Sequence, residues 1–182
     1  MKQKICNFIL RLVGWKYELA FPLPEKCVFC VAPHTSNWDL ILGELLYFAV
    51  GGKKKVSFFI KKEWFFFPLN FFFKWLGGVP VDRQKKTSLV DQMIEEFGKR
   101  DALCLAVTPE ATRKANPNWK HGFYYIAKGA NVPIVLVYFD YSQKKAGVER
   151  QVIPSGDAER EVNEIKQYYA QFKGRYPDQF AI

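Results

Sequence analysis

The sequence predicts an α/β domain: a largely parallel central sheet flanked by helices, with an amphipathic helix at the N-terminus. Short apolar runs recur as "KCVFCVA" (26–32), "VSFFIK" (56–61), "ALCLAVT" (102–108) and "PIVLVYFDY" (133–141). They are continuous instead of alternating, the pattern of strands covered by helices on both faces. Helical periodicities separate them, and strands alternating with helices point to a parallel sheet. No repeat, low-complexity tract or linker divides residues 1–182, a length that suits a single domain with a real core.

Within residues 1–18, Ile5, Phe8, Ile9, Leu12 and Val13 recur at helical spacing with Lys2, Lys4, Arg11 and Lys16 around them. This predicts a basic amphipathic helix that lies on a bilayer or docks on the domain. Asn7 and Arg11 break its apolar stretch and no small-residue cleavage site follows, so it does not read as a signal peptide. Nowhere is there an uncharged apolar run of about eighteen residues, so any membrane attachment is expected to be peripheral.

Next comes the strand at 26–32. Its Cys27 and Cys30 form a C-x-x-C with no second pair to complete a zinc site and no helix start to activate a thiolate. With Cys6 and Cys104 they read as buried free thiols, which suit a reducing compartment. Pro33 biases Ala32 toward extended backbone, Ser36 or Asn37 can cap, and "WDLILGELLYF" then runs as a helix.

The segment 58–78, "FFIKKEWFFFPLNFFFKWLGG", sets eight phenylalanines and two tryptophans among lysines and one glutamate, with Pro68 interrupting. A core cannot readily bury so many rings beside charges. The expectation is a lipid-facing or acyl-chain-binding surface, the alternative being a core helix with its lysine stems snorkelling outward. "GGVPVDR" then closes a strand-like piece at Arg83. A helix capped by Thr87 or Ser88 follows through Leu89, Val90, Met93, Ile94 and Phe97, with Gly98 as its stop. After the strand at 102–108, "HGFYYIAKGA" is a short helix ending near Gly129. The strand at 133–141 comes next, and Val162, Ile165, Tyr169 and Phe172 mark one face of a last helix.

The net charge of +9 and the 17% aromatic content narrow the partners to anionic ones that tolerate rings. A membrane surface fits clustered Phe and Trp better than single-stranded nucleic acid does. The chemistry begins at "HTSNWD". In an unbroken helix His34 and Asp39, five residues apart, would point away from each other. They meet if His34 lies on a turn and Asp39 in the first turn of the following helix. A carboxylate there holds one imidazole nitrogen and leaves the other to accept a proton. Arg83 ends one strand-like piece, while "VTPEATRK" presents Glu110, Thr112 and Arg113 after another. In open α/β sheets ligands gather beyond the carboxyl ends of strands, so these residues are expected to converge, the guanidiniums on a phosphate. A metal site from His34, Asp39 and His121 lacks a fourth ligand, and His121 itself suits a surface or capping role.

The ordered set H-x4-D (His34, Asp39), G-x4-R (Gly78 to Arg83), P-E-x-T-R (Pro109 to Arg113) and the "VPIV" strand from Val132 resembles the glycerolipid acyltransferases, the family that acylates lysophosphatidic acid. The resemblance covers residues 31–136. It implies that His34 is the base acting on an acceptor hydroxyl as that attacks an acyl thioester, with Asp39 orienting it. It further implies that Arg83, Thr112 and Arg113 grip the acceptor phosphate, that Glu110 shapes that site, and that the "VPIV" strand supports the donor side. Coenzyme A or an acyl carrier protein carries the acyl group as substrate, and no cofactor, metal or nucleic acid is expected. The leading acceptor is 1-acylglycerol-3-phosphate, at the cytoplasmic face of an anionic membrane. The alternatives are the same chemistry on another acceptor, such as a hydroxylated aminolipid or other lysophospholipid, or a non-catalytic lipid- or nucleic-acid-binding protein. One departure from the family pattern is Ala111, which replaces a glycine and would disfavour a positive φ.

Overall fold

A computed structural model describes residues 1–52, 56–81 and 88–182, with backbone alone at 61, 75 and 76. The elements run α1 (Lys2–Leu12), β1 (Lys16–Leu19), β2 (Lys26–Ala32), α2 (Trp38–Ala49), β3 (Phe58–Lys61), α3 (Leu69–Leu76), β4 (Gly78–Val81), α4 (Leu89–Gly98), β5 (Leu103–Val107), α5 (Gly122–Ala130), β6 (Ile134–Asp140), β7 (Lys145–Val152) and α6 (Ala158–Tyr169). The main sheet has the order β1-β7-β6-β2-β5. β6, β2 and β5 are parallel, so their carboxyl ends share one edge, and β7 turns back antiparallel to β6 and carries β1. β3 and β4 form a separate parallel pair, joined to the main sheet through a bridge from Ser57 to Leu105.

The predicted apolar runs are the strands at the centre. Every residue of β6 is buried, as expected for a strand with helices on both faces. On one side Val28, Cys30, Leu105, Ile134 and Leu136 pack with Met93, Phe97, Phe123, Ile126, Val162 and Ile165 from α4, α5 and α6. On the other, Cys27, Phe29, Val135, Val137 and Phe139 pack with Leu42, Leu46 and Tyr47 of α2 and Cys6 and Leu10 of α1. The four cysteines are buried and free. Ser88 caps α4: its hydroxyl accepts from the Asp91 N–H at 3.1 Å and donates to the Asp91 carboxylate at 2.8 Å. Gly98 is the last residue of that helix, with Lys99 beyond it as the cap, and Thr87 lies outside the described residues.

Two expectations change. α1 docks on α2, but not through the stripe its apolar residues mark. Cys6 and Leu10 are buried, and the amides of Gln3 and Asn7 both donate to the Ala49 carbonyl that ends α2. Ile5, Phe8, Leu12 and Val13 are exposed. The segment 58–78 is a strand, as expected at its start, then a 3-10 turn at Lys62–Trp64, α3 and the start of β4, so the alternative of one core helix does not hold. Gly77 closes α3 in the left-handed conformation, φ 95°, that glycine adopts without penalty. Among the described residues no helix is long and apolar enough to cross a membrane.

Candidate active site

β2 ends at Ala32 and α2 begins at Trp38, and the five residues between form the turn that the spacing of His34 and Asp39 requires. His34 Nδ1 lies 3.0 Å from Asp39 Oδ2, and the ring is partly exposed, with 22% of the side chain open, while Asp39 is buried. The same Oδ2 accepts the N–H groups of Thr35 at 3.1 Å and Ser36 at 3.0 Å, and Oδ1 accepts the Tyr141 hydroxyl at 2.6 Å. Burial, and then the bond to Asp39, push the Tyr141 phenol above its ordinary range, so it stays a neutral donor. With three other donors already on it, the Asp39 carboxylate offers only acceptors, which favours the His34 tautomer with its proton on Nδ1 and Nε2 as the acceptor.

The loop after β5 supports this turn from below. Glu110 is fully buried; its Oε1 accepts the His34 backbone N–H at 2.7 Å, and Oε2 has no hydrogen-bond partner. Burial pushes its carboxyl up to about 7, against the pull of the His34 N–H. With no exposed surface it braces, from inside the fold, the turn that carries His34. Ala111 adopts φ 56°, the positive value its replacement of glycine disfavours. Thr112 accepts the Lys114 N–H through its hydroxyl at 3.2 Å. Arg113 is exposed and its guanidinium donates to the Asn37 side chain, which sits at the cap of α2 without a capping bond of its own. Ser36 supplies that bond instead, accepting the Trp38 N–H at 3.2 Å. Arg83 lies outside the described residues, two positions beyond the end of β4. His121 precedes α5 as its cap residue, with no side-chain capping bond.

His34, Asn37 and Asp39 line a cavity of about 680 Å³ that is otherwise mostly apolar. It runs past Leu40, Gly43 and Leu46 of α2, over Phe29, Val137 and Phe139 of the sheet, with Phe58 and Phe59 of β3 also on its wall. That volume and lining are those of a small-molecule site with a few convergent polar groups. Lys120 also lines it, a cation that sequence reasoning passed over because it sits in the irregular stretch before α5. Sequence reasoning also missed Tyr141, which looked like the tail of a buried strand. The C-terminal segment closes over the same turn. Tyr176 donates its N–H to Thr35 Oγ1 at 3.2 Å, the Arg175 guanidinium lies 5.7 Å from the Trp38 ring, and a Cβ on Gly174 would meet Thr35 Oγ1 at 2.6 Å. Among the described residues no group of three or more His, Cys, Asp or Glu could hold a metal ion.

Away from the cavity, Trp64, Phe66, Phe67, Phe71 and Phe72 are exposed, Phe67 to 80%, and in α2 so are Trp38 and Ile41, while Leu40 on the cavity wall is half-exposed. Exposed rings in such number exceed the scattered apolar residues of an ordinary surface.

A family model described as Acyltransferase matches residues 17–140. The fold is similar to the crystal structure of the 1-acyl-sn-glycerophosphate (LPA) acyltransferase, PlsC, from Thermotoga maritima, with a TM-score of 0.59 at 17% identity over 95% of this chain and 80% of that one. No curated protein matches the chain in sequence.

Proposed function

The chain belongs to the Acyltransferase family, and on that premise we propose that it moves a fatty acyl group from an acyl thioester to the hydroxyl of a lysophospholipid, with 1-acylglycerol-3-phosphate as the leading acceptor. The observation that carries this reading is the His34–Asp39 pair on the wall of a mostly apolar cavity. The acceptor hydroxyl approaches Nε2 of His34, which takes its proton as the oxygen attacks the thioester carbonyl. Asp39 stabilises the resulting imidazolium. Collapse of the tetrahedral intermediate breaks the C–S bond, and the departing thiolate takes the proton back from Nε2. The products are the ester and the free thiol of coenzyme A or of a carrier protein, and no metal or redox cofactor enters.

The apolar cavity receives an acyl chain, so that the reacting carbonyl is held beside His34 and the step gains from proximity. Arg113, with Thr112 on the same loop and Arg83 after β4, holds the acceptor phosphate; Lys120 adds a cation inside the cavity. The exposed rings of 64–72 and the outer face of α1 rest on the cytoplasmic face of an anionic bilayer, from which both lipids are drawn. The net charge of +9 favours that approach.

The test is acyl transfer from a thioester to 1-acylglycerol-3-phosphate, following free thiol and product lipid together, for the wild type and His34→Ala. Both products, lost in a variant that still folds, are expected. Thiol release without that lipid would redirect the acceptor to another hydroxylated lipid. No turnover with any donor and lysolipid would overturn the reading.

A further inference from the structure

The hydrogen bonds to Asp39 are divided unevenly. His34 Nδ1 and the N–H groups of Thr35 and Ser36 all converge on Oδ2, whereas the bond that Oδ1 accepts comes from the Tyr141 hydroxyl, at 2.6 Å. A buried anionic oxygen with no donor is costly, and without that hydroxyl the carboxylate would gain by rotating to share its other donors between both oxygens. Rotation would carry Oδ2 away from the imidazole.

Tyr141 is itself held from several directions. It follows directly on the last residue of β6. Its backbone N–H donates to the Lys173 carbonyl at 2.9 Å, and its ring meets Trp15 edge to face at 5.0 Å. The turn after it is pinned by Asp140, whose Oδ1 accepts both the N–H and the hydroxyl of Ser142. Trp15 comes from the N-terminal end of the chain and Lys173 from the C-terminal end, and both lie outside the span that the family model matches. A phenol fixed so firmly can define a neighbour's orientation.

We infer that Tyr141 is a positioning residue that sets the plane of the Asp39 carboxylate and thereby holds His34 as a single tautomer, with its proton on Nδ1. This rests on the proposed role of His34 as base, but the geometry stands without it. Tyr141 does not line the cavity, so its effect falls on the chemical step and not on binding.

The experiment compares wild type with Tyr141→Phe, which removes one oxygen and keeps the ring against Trp15. Imidazole ¹⁵N spectra read the tautomer directly, and the chain has two histidines, so His121 serves as the internal reference. The wild type is expected to show His34 protonated on Nδ1 alone, and the variant a mixture of tautomers, with His121 unchanged and the fold intact by circular dichroism. In the acyl-transfer assay kcat should fall about tenfold, the size of one charge-assisted hydrogen bond, with KM for donor and acceptor unchanged. A His34 pattern identical in the two proteins overturns the inference whatever the rates do. A pattern that responds in a protein inactive with every donor and lysolipid upholds the positioning and sinks the acyl-transfer reading instead.

Discussion

The backbone N–H of His34 donates to Glu110 Oε1 at 2.7 Å, so the loop after β5 holds the turn after β2 through a buried carboxyl. That carboxyl, pushed up to about 7 from an ordinary 4.5, binds its proton more tightly in the folded chain than in the unfolded one. Between these values the unfolded state carries fewer protons, so this group's contribution to stability is full below about pH 4.5 and is lost as the pH rises through about 7. A displacement of that size corresponds to roughly 3 kcal/mol. Thermal unfolding from pH 5 to 8 should therefore show a decline in wild-type Tm that is absent or much reduced in Glu110→Gln. Parallel curves for the two proteins would count against a protonated Glu110.

Ala111 sits at φ 56°, where an L side chain costs about 1–2 kcal/mol and glycine does not. Glycine restores ease at that position but gives back roughly 0.5–1 kcal/mol in chain entropy. Ala111→Gly should thus raise Tm by a few degrees at most, about 1–4 °C for a chain of this size. Since the substitution leaves His34 and Asp39 in place, kcat should stay within about twofold. A lower Tm would mean that the loop does not hold the positive φ.

Asp39→Asn tests the pair from its buried side. The amide keeps the shape and one acceptor oxygen, which faces the three donors at Oδ2, but its NH2 then points at Tyr141, whose hydroxyl has to turn from donating to accepting. The loss of kcat should be about 10²–10⁴-fold, as for other bases deprived of their orienting carboxylate. Tm should fall as well, because a neutral amide holds these buried donors less strongly than the charged carboxylate does. Retention of activity within tenfold would remove Asp39 from the mechanism.

The exposed rings of Phe66, Phe67 and Phe71 give the membrane proposal a separate handle. Burying one such ring in a bilayer interface is worth about 1.5–3 kcal/mol when complete. Changing all three to serine should weaken binding to anionic vesicles by at least tenfold while Tm changes little, since the rings are exposed in the folded chain. Wild-type binding should also weaken as salt is raised, because the basic charge contributes alongside the rings. Unchanged sedimentation with vesicles would leave these rings without that role.

Much of this arrangement is legible in the residues, and the gaps have physical causes. β2, β5 and β6 announce themselves because strands buried on both faces need unbroken apolar runs. β1 and β7 do not: "KYEL" is mostly exposed, and the second half of "KAGVERQV" faces water at the outer side of the sheet. The meeting of His34 and Asp39 follows from a turn that Pro33 and Ser36 make. Glu110 is harder, since its place beside Thr112 and Arg113 suggests a part in shaping a phosphate site, and its burial depends on how two distant loops stack. α1 inverts the usual rule, because Gln3 and Asn7 earn their contacts with a helix-end carbonyl while apolar neighbours stay outside. Arg83, an expected phosphate ligand, falls outside the described residues.

Gly43 tests what the cavity is for. It lies within α2 and lines the apolar wall, and a Cβ built on it would meet only the Phe139 ring, at 3.6 Å, an ordinary contact. Gly43→Ala should therefore fit and stabilise the helix by up to about 1 kcal/mol. Gly43→Leu adds three further carbons that have nowhere to go but the cavity. If an acyl chain occupies that space, the Leu variant should shift its preference toward shorter thioester donors, keeping kcat on a short chain and losing it on a long one. The Ala variant, with the same backbone change and little added volume, should keep the wild-type preference. A Leu variant that uses long and short donors as the wild type does would mean that the chain lies elsewhere, and the cavity would need another occupant.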